Sequence, residues 1–167
     1  MATTYSLIAS STVGSGGASY IEFTSIPSTF TDLVLMCSTR HNTGGTVANY
    51  VDISLNGSTT SLTGIILLGT GTAAPSTTGQ YAGLDSGAGS TANTFSNNSY
   101  YFPNYTSSNY KSWSVDYVAE NNATEAYNGF TASLWSNTSA ITSIRLTPQT
   151  GTLVQYSTAY LYGINKN

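Results

Sequence analysis

From Tyr5 to Ile164 no stretch places apolar residues at i, i+3, i+4 and i+7, because Gly, Ser, Thr and Asn interrupt every candidate helix. What recurs is the two-residue period of a half-buried strand. In Tyr20-Ile-Glu-Phe-Thr24, Ile21 and Phe23 share one face and Tyr20 and Glu22 the other. Tyr50-Val-Asp-Ile-Ser-Leu55 repeats the pattern with Val51, Ile53 and Leu55 inward, and Asn56-Gly57 follows as a pair able to take positive φ in a tight turn. Further strands are expected at 5–9, 32–38, 64–69, 93–102, 111–119, 128–136, 141–147 and 154–164. In the 128–136 strand, Phe130, Ala132 and Leu134 form the inward set, with Trp135 out of phase.

Such a number of short strands is too large for one open sheet, and the continuously apolar segment near 32–38 calls for cover on both faces. The expected fold is therefore all-β: a two-sheet antiparallel β-sandwich, jelly-roll-like, with a closed β-barrel as the alternative. Residues 1–167 fit one domain. Region 70–92, rich in Gly, Ala, Ser and Thr, reads as a long surface loop and a candidate contact arm. Segment 103–110 reads as a turn region before the Trp113 strand.

Only 7% of the chain is charged, against roughly 25% in ordinary soluble proteins. Disorder is not the reason, since disordered chains are poor in aromatics and this one holds 13 Tyr and 12% aromatic residues. A freely diffusing protein with so little charge is prone to self-association, so the surface suits a fixed assembly. The basic residues Arg40, Lys111, Arg145 and Lys166 are scattered and form no stripe for a phosphate backbone, which argues against nucleic acid as a partner. No run reaches the roughly 18 apolar residues of a membrane helix. The single Cys37 reads as a small apolar residue on a buried strand.

Motifs for chemistry are scarce. His41, the only histidine, reads as a solvated loop residue beside Arg40, and no Gly-x-Ser-x-Gly elbow accompanies it. Glu22, Asp52, Asp116, Glu120 and Glu125 could supply a carboxylate pair for glycoside hydrolysis, but nothing in the sequence pairs them. Asp116, opposite the Trp113-Val115-Tyr117 face, is expected to be solvent-exposed or hydrogen-bonded at a rim. Metal and cofactor are read as none: structural zinc lacks ligands, and Asp85 or Glu120 would have to serve calcium without its spaced loop pattern. Gly14-Ser-Gly-Gly17 precedes no helix and reads as a turn. The Asn-x-Ser/Thr triplets at Asn56, Asn97, Asn104, Asn122 and Asn137 follow from composition. No catalytic residue is assigned.

Aromatic placement is the stronger signal. Tyr156, Thr158, Tyr160 and Tyr162 fall on one face of the last strand by alternation. With Trp113 and Trp135 these tyrosines are the candidate contact residues, for a subunit interface or a glycan, because Tyr and Trp give large contact area at small entropy cost.

Four phrases carry a family resemblance: Tyr5-Ser-Leu-Ile-Ala-Ser-Ser-Thr-Val-Gly-Ser-Gly-Gly-Ala-Ser19, the stretch from Ile21 to Leu35, Ser54-Leu-Asn-Gly-Ser58, and Val154-Gln-Tyr-Ser-Thr-Ala-Tyr-Leu-Tyr-Gly-Ile164. In these the chain resembles small Ser/Thr/Gly-rich β proteins of tailed bacteriophages, a class that includes capsid decoration or cement proteins and tail appendages. The resemblance implies a non-enzymatic virion structural protein, most readily a decoration protein that stabilises the particle. It implies a homo-oligomer, a trimer being one arrangement, in contact with the major capsid protein or other virion proteins. The alternative is a tail-associated module binding a host surface glycan or receptor. Met1-Ala-Thr-Thr-Tyr-Ser lacks the basic and apolar regions of a signal peptide, so the expected route is synthesis in the host cytoplasm and incorporation into the virion.

Overall fold

A computed structural model describes residues 4–121 and 125–165; Lys166 and the Asn122 triplet of the sequence reading lie outside them. Among the described residues the chain forms twelve strands and no helix. They are β1 (Tyr5–Thr12), β2 (Ile21–Phe23), β3 (Asp32–Ser38), β4 (Ala48–Leu55), β5 (Leu62–Gly69), β6 (Ser76–Thr78), β7 (Tyr81–Ser86), β8 (Asn97–Phe102), β9 (Lys111–Glu120), β10 (Ala126–Trp135), β11 (Ile144–Pro148) and β12 (Thr158–Ile164). Two antiparallel sheets result, one in the order β1-β12-β3-β8-β9-β10-β5-β6 and one in the order β2-β11-β4-β7. Neither closes into a barrel.

The topology is that of a long hairpin rolled on itself. Strands of the outgoing half pair with strands of the returning half: β1 with β12, β2 with β11, β3 with β8 and β4 with β7. Rolling then brings β12 beside β3 and β11 beside β4. These eight strands in two layers are a jelly roll. Two inserted hairpins, β5–β6 and β9–β10, extend one sheet beyond β8, which doubles its width.

Local chemistry explains the turns and bends. Asn56 and Gly57 take φ of 53° and 74°, as the two-residue turn requires, while Leu55 and Ser58 exchange backbone hydrogen bonds of 3.0 Å across it. The Asn56 side chain also accepts from the Thr142 and Ser143 amides and donates to the Ala140 carbonyl, which fixes the approach to β11. A bulge between Leu7 and Ala9 lets both Ile8 and Ala9 pack against the core.

The two strands not foreseen, β6 and β7, both lie in the expected 70–92 loop, so that reading is corrected. Its lack of large apolar residues reflects close approach to the other sheet. At Gly83, whose φ is 113°, a Cβ would stand 2.4 Å from Asn98 Oδ1. In place of a side chain from β7, the Asn98 amide fills the space: it accepts from Leu84 N at 3.0 Å, donates to Leu84 O at 2.9 Å and to Ser96 Oγ at 3.1 Å.

The phase of β10 is also reversed from expectation. Thr131, Ser133 and Trp135 point inward and are buried, while Phe130 and Ala132 are exposed. The tight packing at Gly129, where a Cβ would strike the Tyr117 ring at 2.4 Å, belongs to this inward set.

Asn98→Ala strips three hydrogen bonds from buried groups and leaves the Leu84 amide and carbonyl unpartnered. It should cost roughly 2–4 kcal/mol, at about 1–3 kcal/mol for each stranded group partly relieved by relaxation. Urea denaturation should show this as a lower midpoint with unchanged slope.

Candidate interaction face

Antiparallel register aligns outward side chains into rows that cross the whole eight-stranded sheet. One row joins Leu7 to Tyr162, Val34, Tyr101, Ser114, Ala132 and Ile65. The next carries Tyr160, Met36, Asp116, Phe130 and Leu67. Ile65, Leu7 and Leu67 are 61%, 57% and 53% exposed, and what sets them apart is that they share one face with exposed Met36 and Phe130. Val34, between Tyr162 and Tyr101, is buried, and Tyr5 meets Tyr162 edge to face at 6.4 Å. Shallow grooves run along the β9, β10 and β5 part of the face, beside Ile65, Leu67 and Phe130.

Among the described residues no Lys or Arg projects from this face. Lys111, at the start of β9, turns inward and is 2% exposed; its ammonium donates to the carbonyls of Ser107 at 2.6 Å and Asn137 at 3.3 Å and lies 5.8 Å from the Trp135 ring centroid. Burial pushes its pKa down. Asp116 is exposed within the second row, as expected, and Asp32 at the margin accepts from the Tyr101 hydroxyl at 2.8 Å. The outer face of the small sheet differs: Glu22 pairs with Arg145 at 3.0 Å, the Arg145 guanidinium lies 4.2 Å from the Tyr20 ring, and Asp52 accepts from Gln149 at 3.0 Å.

The candidate contact residues divide. Tyr160 is partly exposed and Tyr162 half-buried on the large face. Tyr156 is 68% exposed, but it precedes β12 at a φ of 72°, in the turn rather than on the strand. Trp135 and Trp113 are core residues, 1% and 4% exposed, Trp113 stacking on Phe102 at 5.2 Å, so neither can form a contact surface. Leu7, Met36, Ile65, Leu67 and Phe130 were missed because an apolar residue on a strand reads as inward; only alternation with a buried set on both sides of the strand could have betrayed them.

Glu22 and Asp52 lie on the outer face of the small sheet, Asp116 lies on that of the large sheet and Asp85 is buried between them, and among the described residues no three His, Cys, Asp or Glu side chains gather into a metal-binding group. Cys37 is buried, as expected. His41 is not the solvated loop residue expected. Its backbone amide bonds the Ser86 carbonyl, its neighbour across a bridge is Leu153, and its ring is fully buried with neither nitrogen hydrogen-bonded. The Arg40 guanidinium beside it is occupied by the carbonyls of Ser90, Thr91 and Thr94.

No protein-family model, curated protein or solved structure matches the chain.

Burial, aided by the Arg40 charge, pushes the His41 pKa below its ordinary 6.5. Folding then favours the neutral ring, and its contribution to stability is present above the unfolded pKa and lost as pH falls through the folded one. Ring nitrogen shifts in ¹H–¹⁵N spectra followed against pH should give a titration midpoint below the ordinary 6.5, and a midpoint at or above it would contradict this burial.

Proposed function

We propose that this chain is a non-enzymatic virion structural protein of a tailed phage, of the capsid decoration or cement kind, that docks on neighbouring subunits through the outer face of its eight-stranded sheet. The observation that carries the reading is the pair of apolar rows. Seven strand spacings of about 4.8 Å make the face about 34 Å wide, and three outward positions per strand make it about 20 Å deep. The area of the whole face, on the order of 700 Å², approaches the roughly 800 Å² per partner of a standard interface. The phage-like phrases at 5–19, 21–35, 54–58 and 154–164 support the setting, and the charge-poor surface supports a fixed assembly over free diffusion. Homo-oligomer contacts and contacts to the major capsid protein both fit such a face. Burial of Trp113 and Trp135 takes the two tryptophans from the alternative, a glycan- or receptor-binding tail role, and leaves it Tyr156, Tyr160 and Tyr162.

Phe130→Lys with Leu67→Lys should leave the fold intact, with stability changed by about 0.5 kcal/mol or less because both side chains already face solvent. Self-association in sedimentation, and rebinding to particles stripped of the protein, should be lost. Particles that lack the protein should leak DNA at lower temperature. A double variant that still assembles and rebinds at wild-type level would sink the proposal.

A further inference from the structure

Between the two sheets lies a polar cluster with one proton too few if all its acids are ionised. Asp85 of β7 is 1% exposed; its Oδ1 hydrogen-bonds the Thr39 hydroxyl, and its Oδ2 has no partner. The Thr39 hydroxyl also lies 3.1 Å from Ser96 Oγ, and Ser96 Oγ lies 3.0 Å from the Thr39 carbonyl. Three contacts need three protons, and two hydroxyls supply two. A protonated Asp85 completes the chain: Asp85 donates to Thr39, Thr39 to Ser96, and Ser96 to the Thr39 carbonyl.

No cation compensates a carboxylate there. The titratable groups coupled to it are Cys37 from β3 and Tyr100 from β8, both acids and both raised by burial first, with Asp85 among the lesser causes; of the two basic residues after Thr39, Arg40 turns its guanidinium to the Ser90, Thr91 and Thr94 carbonyls, and neither His41 ring nitrogen is hydrogen-bonded. The strands β2, β4 and β11 contribute Ile21, Val51, Leu146 and Pro148, and the chain before β12 contributes Leu153, none of them titratable. Among the described residues the one ion pair is Arg145 with Glu22, on the outer face of the small sheet. These residues enclose, with Asp85, Thr39 and Tyr100, a cavity of about 10 Å³, the size of one water. The Tyr100 hydroxyl on its wall is buried and unpartnered, as is Asp85 Oδ2.

We propose that Asp85 is a buried proton-holding site between the sheets, which keeps its proton near neutral pH, donates it to Thr39 and, with Tyr100, binds one water in this cavity. The Tyr100 hydroxyl donates to the water, and the water to Oδ2. Burial pushes the Asp85 pKa up to about 7, opposed by the hydrogen bond that the Thr39 hydroxyl donates to the carboxylate when Asp85 is ionised. Since the folded pKa lies above the unfolded value of 3.8, stability is highest in acid and falls as pH rises from about 4 to about 7. The three-unit difference corresponds to a roughly thousand-fold fall in the folding constant across that window.

Asp85→Asn keeps one donor and one acceptor and removes the titration. Urea denaturation of both proteins at about pH 5, 6, 7 and 8 gives the ratio of wild-type to variant folding constants, in which the opposite slope from His41 cancels. The ratio should fall at least ten-fold over this range; a ratio flat in pH overturns the proton site. Where the variant does not fold, carboxyl ¹³C shifts of wild-type protein labelled at its four aspartates decide: one should titrate near neutrality, and four ordinary titrations refute it. A crystal structure near pH 6 should show a water within hydrogen-bond reach of both Asp85 Oδ2 and the Tyr100 hydroxyl, and its absence from that density overturns the water.

Discussion

A strand at the edge of a sheet ordinarily turns its free N–H and C=O groups to water, but β7 ends the small sheet inside the molecule, where such groups need protein partners. Asn98 of the large sheet supplies them to Leu84, and the segment after β3 supplies them to Ser86 through the Thr39 carbonyl and the His41 amide. One sheet is thus hydrogen-bonded to the other along a buried seam, where a sandwich usually has only apolar contact. The rolled hairpin depends on that seam, because β4 and β7 are its innermost pair and every later pairing is laid over them. Polar residues therefore collect at this end of the core: Thr39, His41, Asp85, Ser96 and Asn98 are all buried within it.

The same seam explains why part of the fold could be read from the sequence and part could not. Strands such as β2 and β4 show clean alternation because one face meets the core and the other meets solvent. In β7 the close approach of the large sheet leaves room only for Gly83, Ala82 and an amide from another strand, so Tyr-Ala-Gly-Leu-Asp-Ser has the composition of a loop while holding the geometry of a buried strand. His41 misleads for a related reason: Arg40 and Gly44-Gly45 around it are loop-like, but the bridge to Leu153 folds the histidine under the sheet. Nothing in a neighbouring residue announces a partner 112 positions away.

The candidate face was hidden by a different ambiguity. Along β10, Phe130 and Ala132 alternate with Thr131, Ser133 and Trp135, and hydrophobicity alone assigns Phe130 to the core. What decides the phase is volume, since the inward side must accommodate Trp135 above Lys111 and the Tyr117 ring over Gly129. Two small hydroxyl residues beside those bulky groups satisfy that packing, and Phe130 is left outside. The tyrosines of β12 were placed correctly on the face because both neighbours in their alternation, Ala159 and Leu161, are unambiguously core residues.

The two outer surfaces of the sandwich have opposite chemistry, and the contrast bears on how the molecule meets its surroundings. The small sheet carries Glu22, Arg145 and Asp52 in side-chain pairs that remain content in water. The large sheet spends none of the chain's few cations on its surface and sets aliphatic and aromatic groups in register across eight strands. Both faces carry acids, Asp32 and Asp116 on the large one, so the contrast lies in the cation and the apolar groups; it follows the two inserted hairpins, which contribute Ile65, Leu67 and Phe130 and widen the sheet with no layer of their own to cover it. An uncovered sheet of that width exposes apolar area worth about 25 cal/mol per Å² when removed from water, so association is where the free energy withheld from folding can be recovered.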